Sequence, residues 1–328
     1  MTLRLPPKYV PLAATAAVLV VLYAAGCIAY DNFGSLRVLV SLVGDNAFLG
    51  VAALGATFVI LSGGIDLSVG AVVAFTSILI ATLVGRCGVH PLAAMALALA
   101  LGAVFGAGMG ALIHCFGLPP FLVTLAGMFF ARGMGFVIHE QSLGIKHAFY
   151  VERINQDLAI PLPGHIHLPF TALCFFAALV LAIGIAHYTR FGRNVYALGG
   201  DEQSATLMGL PIGRTKVLVY ALAGFCSALA GVVYTFYMQS GNPAGCVGLE
   251  LDAIASVVIG GTLLAGGVGF VAGTAMGVLI LGLIQTLITF QGNLNTWWTK
   301  IAVGLLVLAF ILLQNFISAA SRRSVAAR

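Results

Sequence analysis

The sequence predicts an all-α integral membrane protein, a single domain over residues 1–328 with about ten transmembrane helices. Hydrophobic residues make up 61% of the chain and charged residues only 8%. The mean hydropathy is +1.09, far above that of a soluble domain. Apolar runs without charge recur at lengths that cross about 30 Å of hydrocarbon. Because backbone groups find no water inside a bilayer, we expect these runs to be helices.

The first predicted span covers residues 9–30 and follows Arg4 and Lys8. Its charge-free length exceeds the apolar region of a signal peptide, so we interpret it as a retained span. The other predicted spans are residues 38–61, 67–85, 91–114, 118–139, 168–188, 217–239, 253–264, 269–290 and 297–316. The eighth of the ten, residues 253–264, is too short to cross the bilayer unless it begins before Asp252 or is broken.

Basic residues predict the orientation of these spans. With the N-terminus inside and ten crossings, both termini and a loop at residues 190–216 face the cytoplasm, and a loop at residues 140–167 lies outside. The inside then holds Arg4, Lys8, Arg190, Arg193, Arg214, Lys216, Arg322, Arg323 and Arg328, against Arg37, Arg86, Lys146 and Arg153 outside. Within the spans, Arg132 needs a partner or water, and Lys300 is expected to extend its ammonium outward to the membrane interface.

Two glycine-rich breaks interrupt the apolar pattern, at residues 62–70 and 260–269. Each follows a span that runs inward and precedes one that runs outward. The sequence therefore predicts two halves of parallel orientation, spans two to five and seven to ten. Glycine permits broken helices and close helix packing, and both features are common along transport paths.

Five polar residues, at the first break and near the ends of spans, each have two interpretations. Asp66 is interpreted either as a cap of the third span or as a group that contacts a substrate or a moving partner. Asp45 and Asn46 form an interfacial cap or line a solute path. Glu250 and Asp252 either receive a soluble donor protein or hold a loop.

A neutral, hydroxyl-rich solute needs amides and aromatic rings rather than fixed charge. Gln285, Phe58 and Phe121 are candidates for such a path. An ion pump would need more buried carboxylates than this chain offers. The six cysteines are scattered and suggest neither a disulfide framework nor a metal site, and no nucleic-acid-binding motif is present.

Several ordered motifs carry a family resemblance. They are residues 46–50, 62–70, 120–128, 191–200 and 254–262. Together they resemble the permease subunits of bacterial ABC sugar importers of the ribose, xylose and galactofuranose type. Residues 251–254 and 297–302 are most similar to a galactofuranose-importer permease.

The resemblance implies an alternating-access importer in the bacterial inner membrane, surrounded by lipid. Its expected partners are a second permease subunit, identical or a paralogue, two cytoplasmic ATP-binding subunits and a periplasmic sugar-binding protein. The sequence contains no G-x-x-x-x-G-K-[ST] loop. We therefore expect this chain to bind no cofactor and to be a transport subunit rather than an enzyme, with ATP used by its partner.

The family's coupling segment maps onto residues 190–216. Matching positions are Gly192, Arg193, Asn194, Ala197, Gly199, Gly200, Ala205 and Gly209. A short helix is expected to begin at Asp201 and Glu202, where acids favour the helix dipole. The side chains expected to face the ATPase are Ala205, Leu207, Met208 and Leu210. The alternative is a solvated loop, and Asp201 departs from the asparagine that many members carry.

Two rival functions remain open at this point. A secondary transporter would use Asp45 and Asp66 as titrating groups and would need an ion gradient. A membrane scaffold or enzyme is the other alternative. Against an enzyme, His114, His139 and His187 stand singly at predicted helix ends, without a nucleophile and base arranged together.

Overall fold

The computed structural model describes residues 10–150, 152, 158, 160–162, 166–292 and 297–326. Most of these residues are helical, and the strands are short. The helices are α1 (Val10–Ala29), α2 (Leu36–Asp45), α3 (Ala47–Leu61), α4 (Val69–Gly85), α5 (Pro91–Cys115), α6 (Pro120–Ile138), α7 (Phe170–Tyr188), α8 (Arg190–Gly200), α9 (Glu202–Leu207), α10 (Ile212–Met238), α11 (Leu249–Ile259), α12 (Val271–Gln291) and α13 (Trp297–Ala326). The strands are β1 (Leu143–Gly144), β2 (Ile160–Leu162), β3 (Ile166–Leu168) and β4 (Ser240–Gly241).

The predicted all-α membrane architecture is confirmed at the level of a multi-span helical protein. Six of the described helices, α1, α5, α6, α7, α10 and α12, are long and apolar enough to cross a bilayer. The bent pair α2 and α3 raises the number to seven, and α4 and the 297–312 part of α13 are shorter apolar helices. The count of ten crossings therefore stays a prediction.

The second predicted span is wrong as a single helix. Residues 38–61 divide between α2 and α3, whose axes differ by 52°. Asn46 sits at the bend, where its side-chain amide donates to the carbonyl of Leu42 at 2.9 Å. Asparagine competes in this way with the helical hydrogen bonds of the backbone, which favours a break at its position.

The boundaries of two other helices differ from the predicted ones. α11 begins at Leu249, before Asp252, as the short eighth span required. Its 11 residues extend over only about 16 Å, and it ends at Ile259, so the predicted end at 264 is wrong. α10 begins at Ile212, directly after Pro211, and not at 217. Proline lacks the N–H that a helix start leaves unbonded, so the chain can enter a helix there.

Helix α3 forms the centre of the bundle. Every residue of α3 except Phe48 is buried. It packs against α7, α10, α11 and α12, and the hydroxyls of Thr57 and Thr274 lie 2.8 Å apart at the contact with α12. An apolar helix without an exposed face is expected only at such a central position. Outer helices instead expose large apolar groups, such as Val104 and Val137, that are suited to lipid.

Helices α5 and α10 pack closely against each other. Gly102, Gly106 and Gly110 recur every four residues and therefore lie on one face of α5. A β-carbon on Gly110 would lie 2.8 Å from the α-carbon of Val217, and one on Gly102 would lie 2.7 Å from the carbonyl oxygen of Gly224. Small residues let the two backbones approach, which is how helices associate without a hydrophobic driving force in lipid.

Short strands and one arginine organise the end of the bundle where α6 and α10 finish. β1 pairs antiparallel with β4, and β2 pairs antiparallel with β3. Arg132 has the predicted partners, because its guanidinium donates to the carbonyls of Pro243 and Gly245 at 2.9 and 2.5 Å. Several residues of the predicted loop at 140–167, and Arg4, Lys8, Arg153 and Arg328 from the orientation argument, lie outside the described residues.

Candidate functional site

A cavity of about 520 Å³ opens where α2, α3, α10, α11 and α12 meet. Its lining is Arg37, Val38, Ser41, Leu42, Asp45, Asn46, Phe48, Leu49, Tyr237, Leu249, Asp252, Gly282, Gln285, Thr286, Thr289 and Phe290. The volume lies within the roughly 300–1,000 Å³ that small-molecule sites occupy. Three of the six predicted path residues, Asp45, Asn46 and Gln285, meet here.

Helical spacing explains how two helices supply most of the polar wall. Arg37, Ser41 and Asp45 recur every four residues on α2 and therefore share one face. Gln285 and Thr289 share one face of α12 in the same way. The bend at Asn46 turns the face of α2 toward the cavity, whereas a straight helix would continue the direction of the buried α3.

Several polar side chains of this cavity wall have donor or acceptor atoms that remain available to a solute. Within the described residues, the side chains of Ser41, Asp45 and Gln285 take part in no hydrogen bond. Thr286 and Thr289 donate to carbonyls of their own helix, at 2.8 and 2.9 Å, which leaves their oxygen lone pairs to accept. The wall therefore offers both donors and acceptors to a polar solute.

Aromatic rings form an apolar part of the same wall. Phe48 and Tyr237 are stacked, with ring centroids 6.0 Å apart and planes inclined by 28°. Phe48 also meets Tyr234 edge to face at 5.3 Å. Tyr237 is 45% exposed, so part of its ring stays available to a solute. A ring face beside hydrogen-bonding groups suits a molecule with one apolar and one polar surface.

The charge of Asp252 is paired on the side of α13. Both of its carboxylate oxygens lie 2.7 Å from the ammonium of Lys300. Lys300 was expected to extend toward the interface, and its side chain is 52% exposed. The pair ties α11 to α13 at the cavity wall, so Asp252 offers a solute less free charge than Asp45 does.

The other three predicted path residues lie elsewhere. Phe58 is buried within α3 and stacks on Phe191 of α8, at 6.3 Å and 26°. Phe121 is 47% exposed on the outer helix α6. Asp66 is 2% exposed, and one of its carboxylate oxygens accepts from the backbone and the hydroxyl of Ser68 at 2.8 and 2.7 Å. It therefore shapes the turn that enters α4.

The predicted coupling segment is a pair of short helices at the opposite end of the bundle. The hydroxyl of Thr189 caps α8 by accepting from the backbone of Gly192 at 3.1 Å. Asp201 caps α9 by accepting from the backbone of Ser204, and these hydrogen bonds lower the pKa of its exposed carboxyl. The short helix expected at Asp201 and Glu202 is thus confirmed. Glu202 pairs with Lys216 of α10 at 2.7 Å.

The exposed side of α9 is apolar at its tip. Leu207 is 89% exposed and Met208 is 68% exposed. The expectation that Ala205 also faces outward is wrong, because Ala205 is completely buried. The side chains of a helix point in different directions around its axis. Ala205 lies on the side of α9 that packs on the bundle.

Both glycine-rich breaks contact the end of α8 through backbone atoms. The N–H of Gly267 donates to the carbonyl of Leu61 at 2.9 Å, and Gly199 lies against both of these groups. Gly266 adopts a φ of +89° and leaves no room for a β-carbon beside Gly63. We call Gly63, Gly199, Gly266 and Gly267 the glycine junction. It lies about 22 Å along α3 from the cavity.

Residues 38–311 match the family model described as the branched-chain amino acid transport system permease component. The chain belongs to this permease family. Over 94% of its length, the permease is 50% identical to the inner membrane ABC transporter permease protein YjfF of Escherichia coli, of which it covers 92%.

Two further relatives cover most of the permease. It is 37% identical to the fructose import permease protein FruG of Bifidobacterium longum over 96% of this chain and 94% of that one. It is 39% identical to the ribose import permease protein RbsC of Bacillus subtilis over 84% of both chains. No solved structure matches the permease.

Sequence reasoning missed several cavity residues of the permease. Ser41 and Thr286 carry single hydroxyls within apolar runs, and such groups usually bond their own helix. Tyr237 stands near the end of a predicted span, where tyrosine is typical of the interface. The recurrence of Arg37, Ser41 and Asp45 every four residues is the signal that would have found α2 as a polar face.

Proposed function

We propose that this permease is the transmembrane subunit of an ATP-binding-cassette importer that moves a monosaccharide, galactofuranose or a related sugar, from the periplasm to the cytoplasm. The cavity is the observation that carries this proposal. It combines unused donors and acceptors with a partly exposed aromatic ring, as an uncharged polyhydroxylated ring requires. The names of the ribose and fructose import relatives support the same class of solute.

Individual side chains would serve distinct roles in such a path. Asp45 would accept from sugar hydroxyls, and Gln285 would both donate and accept. Tyr237 and Phe48 would contact the apolar face of the ring. Because few groups would hold the sugar, its affinity would remain weak enough for release, while a periplasmic sugar-binding protein would supply the selective binding.

We assign docking of the ATP-binding subunit to α9. Leu207 and Met208 present apolar side chains at the α8–α9 end, and the Glu202–Lys216 ion pair ties α9 to α10. ATP would be bound by that partner and not by this chain. A second permease subunit, a copy or a paralogue, would complete the pathway, with the apolar outer helices facing lipid.

The proposed topology has ten crossings of the bacterial inner membrane and both termini in the cytoplasm. The two glycine-rich breaks meet at one junction, which supports two parallel halves. Exposed Cys87 and Cys115 test this arrangement. In single-cysteine variants, a membrane-impermeant maleimide should label Cys87 in intact cells and Cys115 only after permeabilisation. The reverse pattern would reject the topology.

Uptake in cells that lack the gene tests the substrate. Complementation with the wild-type gene should restore uptake of radiolabelled galactofuranose more strongly than uptake of pyranose sugars. A Gln285→Leu variant should insert normally and transport less, whereas Ile288→Leu, on the same helix outside the cavity lining, should transport as the wild type does. Uptake that follows an ion gradient and persists without the ATP-binding partner would instead support a secondary transporter.

A further inference from the structure

The glycine junction connects three separate parts of the chain through backbone contacts. Gly199 is at the end of α8, Gly63 follows α3, and Gly267 precedes α12. The Gly267 N–H donates to the carbonyl of Leu61 at 2.9 Å and so joins the second break to the end of α3. A second bond, from the Tyr196 hydroxyl to the carbonyl of Gly269 at 2.9 Å, holds α8 to the break before α12.

We infer that Gly199 is a positioning residue for transport, through which a displacement of the α8–α9 segment moves the adjoining ends of α3 and α12. This inference rests on the proposed function. The far ends of the same two helices supply Phe48 and Gln285 to the cavity. Two continuous helices therefore run from the junction to the cavity wall, and closely packed elements transmit displacement instead of absorbing it.

The backbone around Gly199 leaves no space for a side chain at this position. A β-carbon there would overlap the carbonyl oxygen of Leu61 and lie 2.6 Å from the backbone nitrogen of Gly267. Both obstacles are backbone atoms, so no side-chain rotation can relieve them. An alanine would push α8 away from both breaks and weaken the direct contact.

A helical glycine outside the coupling segment supplies a control. A β-carbon on Gly184 of α7 would meet nothing within 4 Å. Both positions are helical, so an alanine at either one brings a similar change in helix propensity. Only the alanine at 199 disturbs the junction. Gly102→Ala provides a second control, because its β-carbon would meet the backbone of Gly224 in the α5–α10 contact away from the junction.

The test uses the complete transporter, with its ATP-binding and sugar-binding partners, in liposomes. Radiolabelled galactofuranose uptake and phosphate release are measured on the same vesicles. The readout is sugar transported per ATP hydrolysed. Gly199→Ala should lower this ratio about tenfold. Gly184→Ala should leave it unchanged, and Gly102→Ala should reduce the amount of assembled transporter without changing the ratio.

A ratio for Gly199→Ala equal to that of the wild type or of Gly102→Ala would overturn the inference. If Gly199→Ala does not assemble, Tyr196→Phe decides the matter, since it removes only the hydroxyl that binds Gly269. We expect its ratio to fall about threefold, and an unchanged ratio would also overturn the inference. Absence of ATP-dependent uptake by the wild type would reject the proposed function itself, and the positioning role with it.

Discussion

The two ends of helix α3 differ in the atoms that surround them. At the cavity end, the wall consists of side chains, and Ser41, Asp45 and Gln285 retain unused hydrogen-bonding capacity. At the junction end, glycine backbones lie in contact, and the Leu61–Gly267 bond joins α3 to the break before α12. At the cavity end, we expect that a polar side chain can be substituted without moving the helices. At the second end, a single methyl group on Gly199 would overlap the backbone of Leu61.

The largest expected effect concerns the tip of α9, beyond the junction. Met208→Arg places a charge where the proposed ATP-binding subunit docks, and we expect association to weaken about tenfold or more, with loss of uptake. Co-purification with the ATP-binding subunit measures association. Gln203→Arg, also exposed on α9, serves as the control for added charge. Association of the Met208 variant at the wild-type level would place docking elsewhere.

Ala205→Arg is unsuitable for the same purpose. The buried Ala205 side chain has no room for an arginine, so this variant would disrupt the seat of α9 whether or not a partner docks there.

The next effect concerns the cavity end and separates the two transport mechanisms. Asp45→Leu removes an acceptor, and we expect uptake to fall about tenfold. Asp45→Asn retains an acceptor without the titrating proton, so uptake should stay within about threefold of the wild type. Initial uptake rates at matched membrane levels measure both variants. Complete loss with asparagine, together with sensitivity to a protonophore, would favour the gradient-driven alternative.

A smaller effect concerns the ion pair beside the cavity. Lys300→Met leaves Asp252 unpaired at the wall, Asp252→Asn removes the partner charge of Lys300, and the double variant removes both charges. Because both groups are partly exposed, we expect a coupling energy of at most about 1 kcal/mol. A double-mutant cycle on thermal stability in detergent measures it. Strictly additive effects would show that the pair contributes no stability.

The smallest effect concerns the cap of α9. Asn and Asp cap helices about equally well, so Asp201→Asn should leave partner association within about twofold of the wild type.

The pKa of Asp201 is lowered in the folded protein by hydrogen bonds from Ser204. Its stabilisation is therefore present above the ordinary carboxyl range and is lost as the pH falls through the lowered pKa. Wild-type association that weakens only as the pH rises from neutrality would contradict this role.

Hydropathy predicted the membrane class and most helix positions, since charge-free length is read directly from composition. It did not predict the bend at Asn46, because a single amide that bonds the carbonyl of Leu42 hardly changes mean hydropathy. It also misplaced the ends of α11, which is too short to appear as a span.

The site was predictable only in part, for a reason particular to membrane helices. Asp45, Asn46 and Gln285 stand out as polar groups in apolar runs. Phe58 and Phe121 could not be placed, because an apolar ring is equally compatible with the core and with lipid, so sequence does not reveal which face turns inward. The junction depends on contacts among four glycines from three distant parts of the chain, which no local pattern contains.

One measurement tests most directly whether the cavity handles the sugar while the α9 tip engages the ATP-binding subunit. In liposomes with the ATP-binding and sugar-binding partners, galactofuranose uptake and ATP hydrolysis are followed for the wild type, Asp45→Leu and Met208→Arg. We predict that uptake requires ATP, that Asp45→Leu takes up about tenfold less sugar but keeps basal hydrolysis, and that Met208→Arg loses both uptake and hydrolysis. Uptake without ATP, or wild-type uptake by Asp45→Leu, would contradict the account.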